Sequence, residues 1–280
     1  MTDWKYIYKF AAGMVNTVVW WTRIESPYLR RRVVKRAAGS ESCVEFAQQR
    51  LGFEPDAKQA AVLESESARG ILNCTRQWGK STVAAVKAIH RAYTRPGCLV
   101  LVASPSSRQS GEFLSKASGL LSRAGIRARG DGYNELSLKL PNGSRIVGLP
   151  GVEGTVRGFS SVSLLLIDEA SRVEDEMYRA LRPMLAVGSG DLWLMSTPNR
   201  KQGFFYDIWE HGGDEWMRVK APANECPRIP EEFLKEELAE HGEDGFRREY
   251  LCEFLDSGTA VFDRELLDRA MDGEVRQLLL

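Results

Sequence analysis

A short apolar run, Ile71–Cys74, breaks into a loop that ends in Gly79-Lys80-Ser81 and passes directly into a helix-forming stretch, Ser81–Tyr93. Few arrangements accommodate such a segment: a buried strand, a tight loop, and a helix whose first turn faces that loop. The N–H groups of a first helical turn have no partner inside the helix, and the helix dipole adds positive potential at that end. The segment is therefore suited to cradle an anion, phosphate above all. In the usual form of such a loop, G-x-x-x-x-G-K-[ST], the lysine reaches terminal phosphate oxygens and the hydroxyl ligates Mg²⁺. Lys80 and Ser81 stand at those places, followed by Thr82, but Cys74 stands where the first glycine should be. On the loop alone, an ordinary helix start remains an equal reading.

The surrounding chain narrows the choice. From Phe53 onward helix-like and strand-like stretches alternate without a repeat or a low-complexity tract. A helix is expected over Ala57–Leu63, opened by Glu54-Pro55-Asp56 and carrying Gln59. Strands are expected at Ile71–Cys74, Cys98–Ala103, Leu164–Ile167, Leu192–Met195 and Trp216–Lys220. Their continuous apolar character suits strands covered on both faces of a parallel sheet. Helices are expected at Ser106–Arg123, Glu174–Leu185, Glu231–His241 and Asp244–Phe254. Leu136–Leu140 and Arg145–Leu149 flank Pro141-Asn142-Gly143, and Asn-Gly supplies the positive φ angles of a hairpin turn. The alternation predicts an α/β fold, a doubly wound and mostly parallel sheet of the phosphate-loop (P-loop) NTPase kind, with active groups at the carboxyl ends of the strands.

That rule gives weight to Leu164–Ala170, LLLIDEA, where Asp168 and Glu169 end a hydrophobic strand. The first carboxylate can hold Mg²⁺ through water, and the second can orient or deprotonate a water for attack on a γ-phosphate. Acids after a strand can also simply open a helix, because the dipole favours them there. Following Gly-Lys-Ser in this order, however, they point to an ATPase.

Composition sets the outer limits. The 280 residues, 43 % hydrophobic and 27 % charged, suffice for one large α/β domain with appendages or for two small domains. Lys+Arg and Asp+Glu balance at 38 each, so any contact with nucleic acid must use local patches. Cys43, Cys74, Cys98, Cys226 and Cys252 form no C-x-x-C pair, and with His90, His211 and His241 scattered no zinc spacing can be assembled. A reducing cytosol without structural metal is expected. The most apolar run, Phe10–Trp21, has about half the length of a membrane span, and no signal-peptide pattern precedes it. It reads as an amphipathic helix. Tyr28–Arg36, YLRRRVVKR, is either a solvated helix face or a phosphate contact.

Thr75-Arg76-Gln77-Trp78-Gly79-Lys80-Ser81 resembles the R-Q-x-G-K-[ST] phosphate loop of the large terminase subunits of tailed bacteriophages, the motors that pump DNA into procapsids. The resemblance accounts for the missing first glycine. Gln59, Gly154-Thr155-Val156-Arg157-Gly158, LLLIDEA and Ser196-Thr197-Pro198 fall in that family's order, so that it covers roughly Phe53 to Phe262. It implies three parts: a helical N-terminal arm (1–52), an ATPase domain (53–255) and a tail (256–280) where a nuclease normally follows. It also implies that ATP and Mg²⁺ bind at Gln59 and Thr75–Thr82, with Gln59 on the adenine edge and Arg76 and Lys80 on phosphates. Ser81 and Asp168 would hold the metal, Glu169 would be the catalytic carboxylate, and Ser196-Thr197-Pro198 would couple hydrolysis to motion. Arg157 would act as a finger in a neighbouring subunit, with Arg76 its rival for the same work. The implied partners are double-stranded DNA, a procapsid portal protein and a small terminase subunit. The working form would be a homo-oligomeric ring, with a monomer possible in solution, in the host cytoplasm and without a membrane.

No acidic cluster beyond Val261 resembles a two-metal site, so nuclease activity is not expected. Two other readings stay open: a helicase-like DNA or RNA translocase outside that family, and a nucleotide-gated scaffold without turnover, which would have no need of Glu169.

Overall fold

The computed structural model describes residues 41–149 and 158–255. Phe10–Trp21, Tyr28–Arg36, Gly154–Arg157 and the tail from 256 onward lie outside these residues.

The described residues form a seven-stranded sheet in the order β3-β4-β2-β5-β6-β1-β7. Its strands are β1 (Arg69–Cys74), β2 (Leu99–Ala103), β3 (Ser137–Lys139), β4 (Arg145–Leu149), β5 (Val162–Asp168), β6 (Asp191–Ser196) and β7 (Trp216–Ala221). Among these strands the expected hairpin, β3 with β4, is the antiparallel pair; β1, β2, β4, β5, β6 and β7 pair in parallel. The helices are α1 (Cys43–Gln49), α2 (Ala57–Glu64), α3 (Lys80–Thr94), α4 (Ser107–Arg123), α5 (Asp175–Leu181), α6 (Gly203–His211) and α7 (Glu231–Tyr250).

Alternation along each strand explains why the runs had to be apolar throughout. Val100 and Val102 join the layer made with α1–α4, whereas Leu101 and Ala103 join the layer made with α5 and α6. Leu164 and Leu166 divide from Leu165 and Ile167 in the same way. Successive side chains leave opposite faces of a strand, and here both faces are covered.

Three elements depart from expectation. Residues 41–52 are expected in the arm, but Phe46, Ala47 and Leu51 are fully buried in the core beside α3, and the compact unit that holds the sheet starts at Glu41. The helix expected over Glu174–Leu185 is α-helical only to Leu181 and continues as a 3-10 turn through Leu185. Pro183 has no N–H to give an i−4 carbonyl, which stops the α pattern there. The two closing helices meet where expected, at Gly242 (φ 68°, ψ 175°), a backbone state open to glycine, but the second ends at Tyr250 instead of Phe254. Helix α6, with Phe204 and Phe205 in the core, is capped from outside its own stretch, the Phe204 N–H donating to Asp175 Oδ1 (2.9 Å), so its sequence carries no strong start signal to announce it.

One glycine of β1 is there for space. A Cβ on Gly70 would fall within 2.3 Å of the Trp193 ring, and Lys87 Nζ lies 4.2 Å from the centre of that ring. The Lys87 amine is itself buried, donates to the carbonyls of Val62 and Ser65, and is pushed down to about 8 by its burial. Gly70→Ala therefore has nowhere to relax and is expected to destabilise the fold by roughly 1–3 kcal/mol. Denaturant unfolding of the two proteins measures this, and equal midpoints would show that the ring yields.

Candidate nucleotide site

The carboxyl ends of three adjacent strands, β5, β6 and β1, meet at one edge of the sheet. The loop from Thr75 to Gly79 leaves β1, winds through left-handed backbone at Gln77 (φ 62°) and Gly79 (φ 98°), and enters α3 with no side-chain cap on the helix start. Among the described residues no side chain accepts from the Lys80 and Ser81 N–H groups of the first turn, which suits them to an anion.

The loop is anchored from below. Trp78 is 2 % exposed and belongs to the core. Its carbonyl accepts hydrogen bonds from Gln59 Nε2 (2.7 Å) and from Arg228 (2.9 Å). Gln59 Oε1 accepts in turn from the Asp56 N–H (3.0 Å), closing a capping box on α2. Each end of the Gln59 amide carries one of these bonds, and at 2 % exposure the side chain braces the loop. Thr75 is also turned inward: its N–H donates to the Ala221 carbonyl (2.9 Å) and its hydroxyl to the Glu249 carbonyl (3.0 Å). Arg76 and Gln77 are exposed, and the Thr82 N–H donates to the Gly79 carbonyl (3.0 Å).

Lys80 Nζ donates to the loop's own carbonyls, Cys74 (3.1 Å) and Thr75 (3.0 Å), and is 7 % exposed. The Ser81 hydroxyl donates to Asp168 Oδ2 (3.1 Å), so residues far apart in sequence join lysine, hydroxyl and carboxylate in one place. Burial, reinforced by the neighbouring Glu169 charge, pushes the Asp168 carboxyl up to about 6 against the opposing pull of Lys80 and Ser81. A carboxylate in that state gains from a cation.

Glu169 sits in left-handed backbone (φ 51°, ψ 43°), which turns its side chain out of the strand direction. Its Oε2 accepts from Arg172 (2.8 Å) and from the Ser196 hydroxyl (3.4 Å). The Ser171 hydroxyl donates to the Thr197 carbonyl (2.8 Å), so the Ser196 hydroxyl proton is shared between Ser171 Oγ (2.8 Å) and Glu169 Oε2, and Arg172 also donates to Thr197 Oγ1 (3.1 Å). Ser196, Thr197 and Pro198 are buried at the end of β6, the strand that separates β1 from β5. The Arg76 Nε donates to Glu249 on α7 (2.8 Å). Arg172 and Glu249 are the members of this site that the sequence did not single out, because neither belongs to a local pattern. Arg157 lies outside the described residues.

Comparison with known proteins gives the chain a family and a fold. The family model "Terminase large subunit, T4likevirus-type, N-terminal" matches residues 71–269. The chain is 31 % identical over 101 residues to the "Probable terminase, large subunit" of Enterobacteria phage P7, an alignment covering 33 % of this chain and 20 % of that protein. It spans only that fifth of the relative's length. Among solved structures it is similar to the large terminase ATPase domain of Thermus phage P74-26 (TM-score 0.65, 21 % identity, 74 % of this chain and 97 % of that one). It is also similar to the large terminase of bacteriophage HK97 (TM-score 0.65, 16 % identity, 76 % of this chain and 55 % of that one). A third is the large terminase of a thermophilic bacteriophage in complex with ADP (TM-score 0.63, 12 % identity, 71 % of this chain and 53 % of that one). At these identities the likeness is one of fold.

Proposed function

The chain belongs to the T4-like terminase large-subunit family, matching its N-terminal part, and from that premise we propose that it is an ATP-hydrolysing motor domain that drives double-stranded DNA into a procapsid. The observation that carries the reading is the convergence of Lys80, Ser81 and Asp168 at an uncapped helix start, with Glu169 beside them.

The residues fit Mg²⁺-ATP. Among the described residues no group of three His, Cys, Asp or Glu side chains could hold a metal by itself. One hydroxyl and one carboxylate are nevertheless the donors Mg²⁺ takes when water and substrate phosphates supply the rest. Ser81 and Asp168 would hold the ion, which when bound supplies neutralising charge to the phosphates. The α3 N–H groups orient the phosphate chain, and Lys80 exchanges its two loop carbonyls for terminal phosphate oxygens. Glu169, held between Arg172 and Ser196, takes a proton from the attacking water. Arg76 or, from a neighbouring subunit, Arg157 adds positive charge where the transition state develops negative charge. The buried Ser196-Thr197-Pro198 segment, bonded to both Ser171 and Arg172, is the coupling element.

The proposed working form is a homo-oligomeric ring on a portal protein in the host cytoplasm, delivered DNA by a small subunit. Purified protein with Mg²⁺-ATP is expected to show a basal phosphate-release rate that rises with procapsids and double-stranded DNA. No turnover in any of these mixtures would overturn the reading. The same thermophilic-phage large terminase is also known in complex with ATP-γ-S, which makes that analogue the natural probe for binding without turnover.

A further inference from the structure

Strand β2 ends at Ala103, and Ser104, which follows it, is fully buried. Its hydroxyl nevertheless finds no hydrogen-bond partner among the described residues. Two other serines of the same corner are engaged: Ser106 Oγ accepts the Gln109 N–H (3.3 Å) at the α4 cap, and the Ser110 hydroxyl donates to the Leu149 carbonyl (2.7 Å). Pro105 has no N–H to offer, and a residue before proline favours extended backbone. The alternation of β2 therefore carries on through Ser104. Val100 and Val102 face the α1–α4 layer, Leu101 and Ala103 the opposite one, and Ser104 faces α1–α4 again.

Asp168 stands beside it. β2 and β5 pair in parallel with Ala103 opposite Ile167, so the next position on each chain sets Ser104 opposite Asp168. Asp168 lies on the same side, since its Oδ2 accepts from Ser81 of α3. Neighbouring strands run about 4.8 Å apart, which leaves side chains in register about one bridging water from each other. A buried hydroxyl without a partner is costly, and this one sits next to the carboxylate assigned to the metal.

We infer that Ser104 is a positioning residue for the metal, its hydroxyl taking a water of the Mg²⁺ shell beside the Ser81–Asp168 pair. This rests on the proposed function. Mg²⁺ sheds water reluctantly and keeps several waters when a protein supplies only one or two ligands. Those waters are strong donors in need of acceptors, and Asp168 already accepts from the Glu169 N–H at Oδ1 (3.1 Å) and from Ser81 at Oδ2. Ser104 supplies a further acceptor from the neighbouring strand, and outer partners of this kind orient the groups they hold. The hydroxyl that costs the unliganded protein stability then contributes to affinity for the metal-loaded nucleotide.

Ser104→Ala tests this with two opposite signs. Without metal or nucleotide the variant is expected to unfold at the parent's denaturant midpoint or above it, because the group removed had no partner. Binding of Mn²⁺ to the ADP-loaded protein, followed by the electron paramagnetic resonance of free Mn²⁺, should weaken about tenfold, the lower end for loss of an outer partner of a metal site. ADP affinity in the presence of a chelator should stay at the parent's value. Ser104→Cys, which fills the space but hydrogen-bonds poorly, should bind Mn²⁺ as weakly as Ser104→Ala. Mn²⁺ affinity within about twofold of the parent in either variant overturns the inference, as does an equal loss of chelated ADP binding. A parent that takes up no Mn²⁺ with ADP overturns the proposed function instead. Hydrogen exchange on the unaltered protein decides the matter even if both variants fold poorly. The amides within 104–107 should exchange more slowly with Mg²⁺ and ATP-γ-S than with ATP-γ-S and chelator, and equal rates there refute the contact.

Discussion

Replacing Glu169 with glutamine should slow ATP turnover by about 10²–10⁴-fold, the range for losing a general base, while nucleotide still binds. The amide retains the shape of the carboxylate and can still accept from Arg172 and Ser196, the two groups that hold Oε2 now. What disappears is the charge that accepts the proton. The same charge helps to raise the Asp168 carboxyl, so its removal lets Asp168 ionise more readily and leaves the metal-holding pair at least as competent. The expected phenotype is a trapped complex: normal or slightly tighter equilibrium binding of fluorescent nucleotide, with almost no phosphate released in a single-turnover assay. Turnover within about threefold of the parent would mean that Glu169 is a strand-end acid and the base lies elsewhere.

Lys80→Ala is expected to act earlier, on binding. The amine is buried and gives two hydrogen bonds to the loop's backbone, so truncation removes the cation meant for phosphate and also strips the Cys74 and Thr75 carbonyls of their donor. Truncating one member of a buried charged contact costs about 2–5 kcal/mol, so affinity for Mg²⁺-ATP should drop by roughly two orders of magnitude with turnover abolished. A smaller loss of stability, about 1–3 kcal/mol, accompanies the two orphaned carbonyls. Calorimetric titration together with denaturant unfolding separates these effects. Normal affinity in a folded Lys80→Ala protein would reject the phosphate-loop assignment.

Much of the fold was legible because burial on two faces leaves so simple a mark. The runs Leu99–Ala103 and Val162–Asp168 carry no alternation and became adjacent central strands. The Gly79-Lys80-Ser81 turn and the Asp168-Glu169 pair were legible for a different reason, since each concentrates its chemistry in neighbouring residues. What escaped was assembled across long separations. Arg172 and Glu249 form one charged chain with Arg76, although each of the two looks like an ordinary helix or loop charge in its own surroundings. The sequence offers Gln59 as a residue that could face a base, but it does not show the capping box and the Trp78 carbonyl that also hold its amide, since these are set by tertiary packing. The premature end of the helix at Leu181 was written in Pro183, and the apolar periodicity over Glu174–Leu185 hid it.

Strand order also fixes a timetable for synthesis. The phosphate-loop strand β1 pairs only with β6 and β7, whose residues are added to the chain long after it, and the Thr75 N–H awaits the Ala221 carbonyl. As the chain leaves the ribosome, α3, β2 and the β3–β4 hairpin can gather first, while β1 waits with both edges bare. Such long-range parallel pairing is slow and exposes apolar edges to other nascent chains. A ribosome-bound fragment stalled before Ala221 should therefore lack the loop geometry altogether, and the nucleotide site would be among the last parts of the domain to take shape.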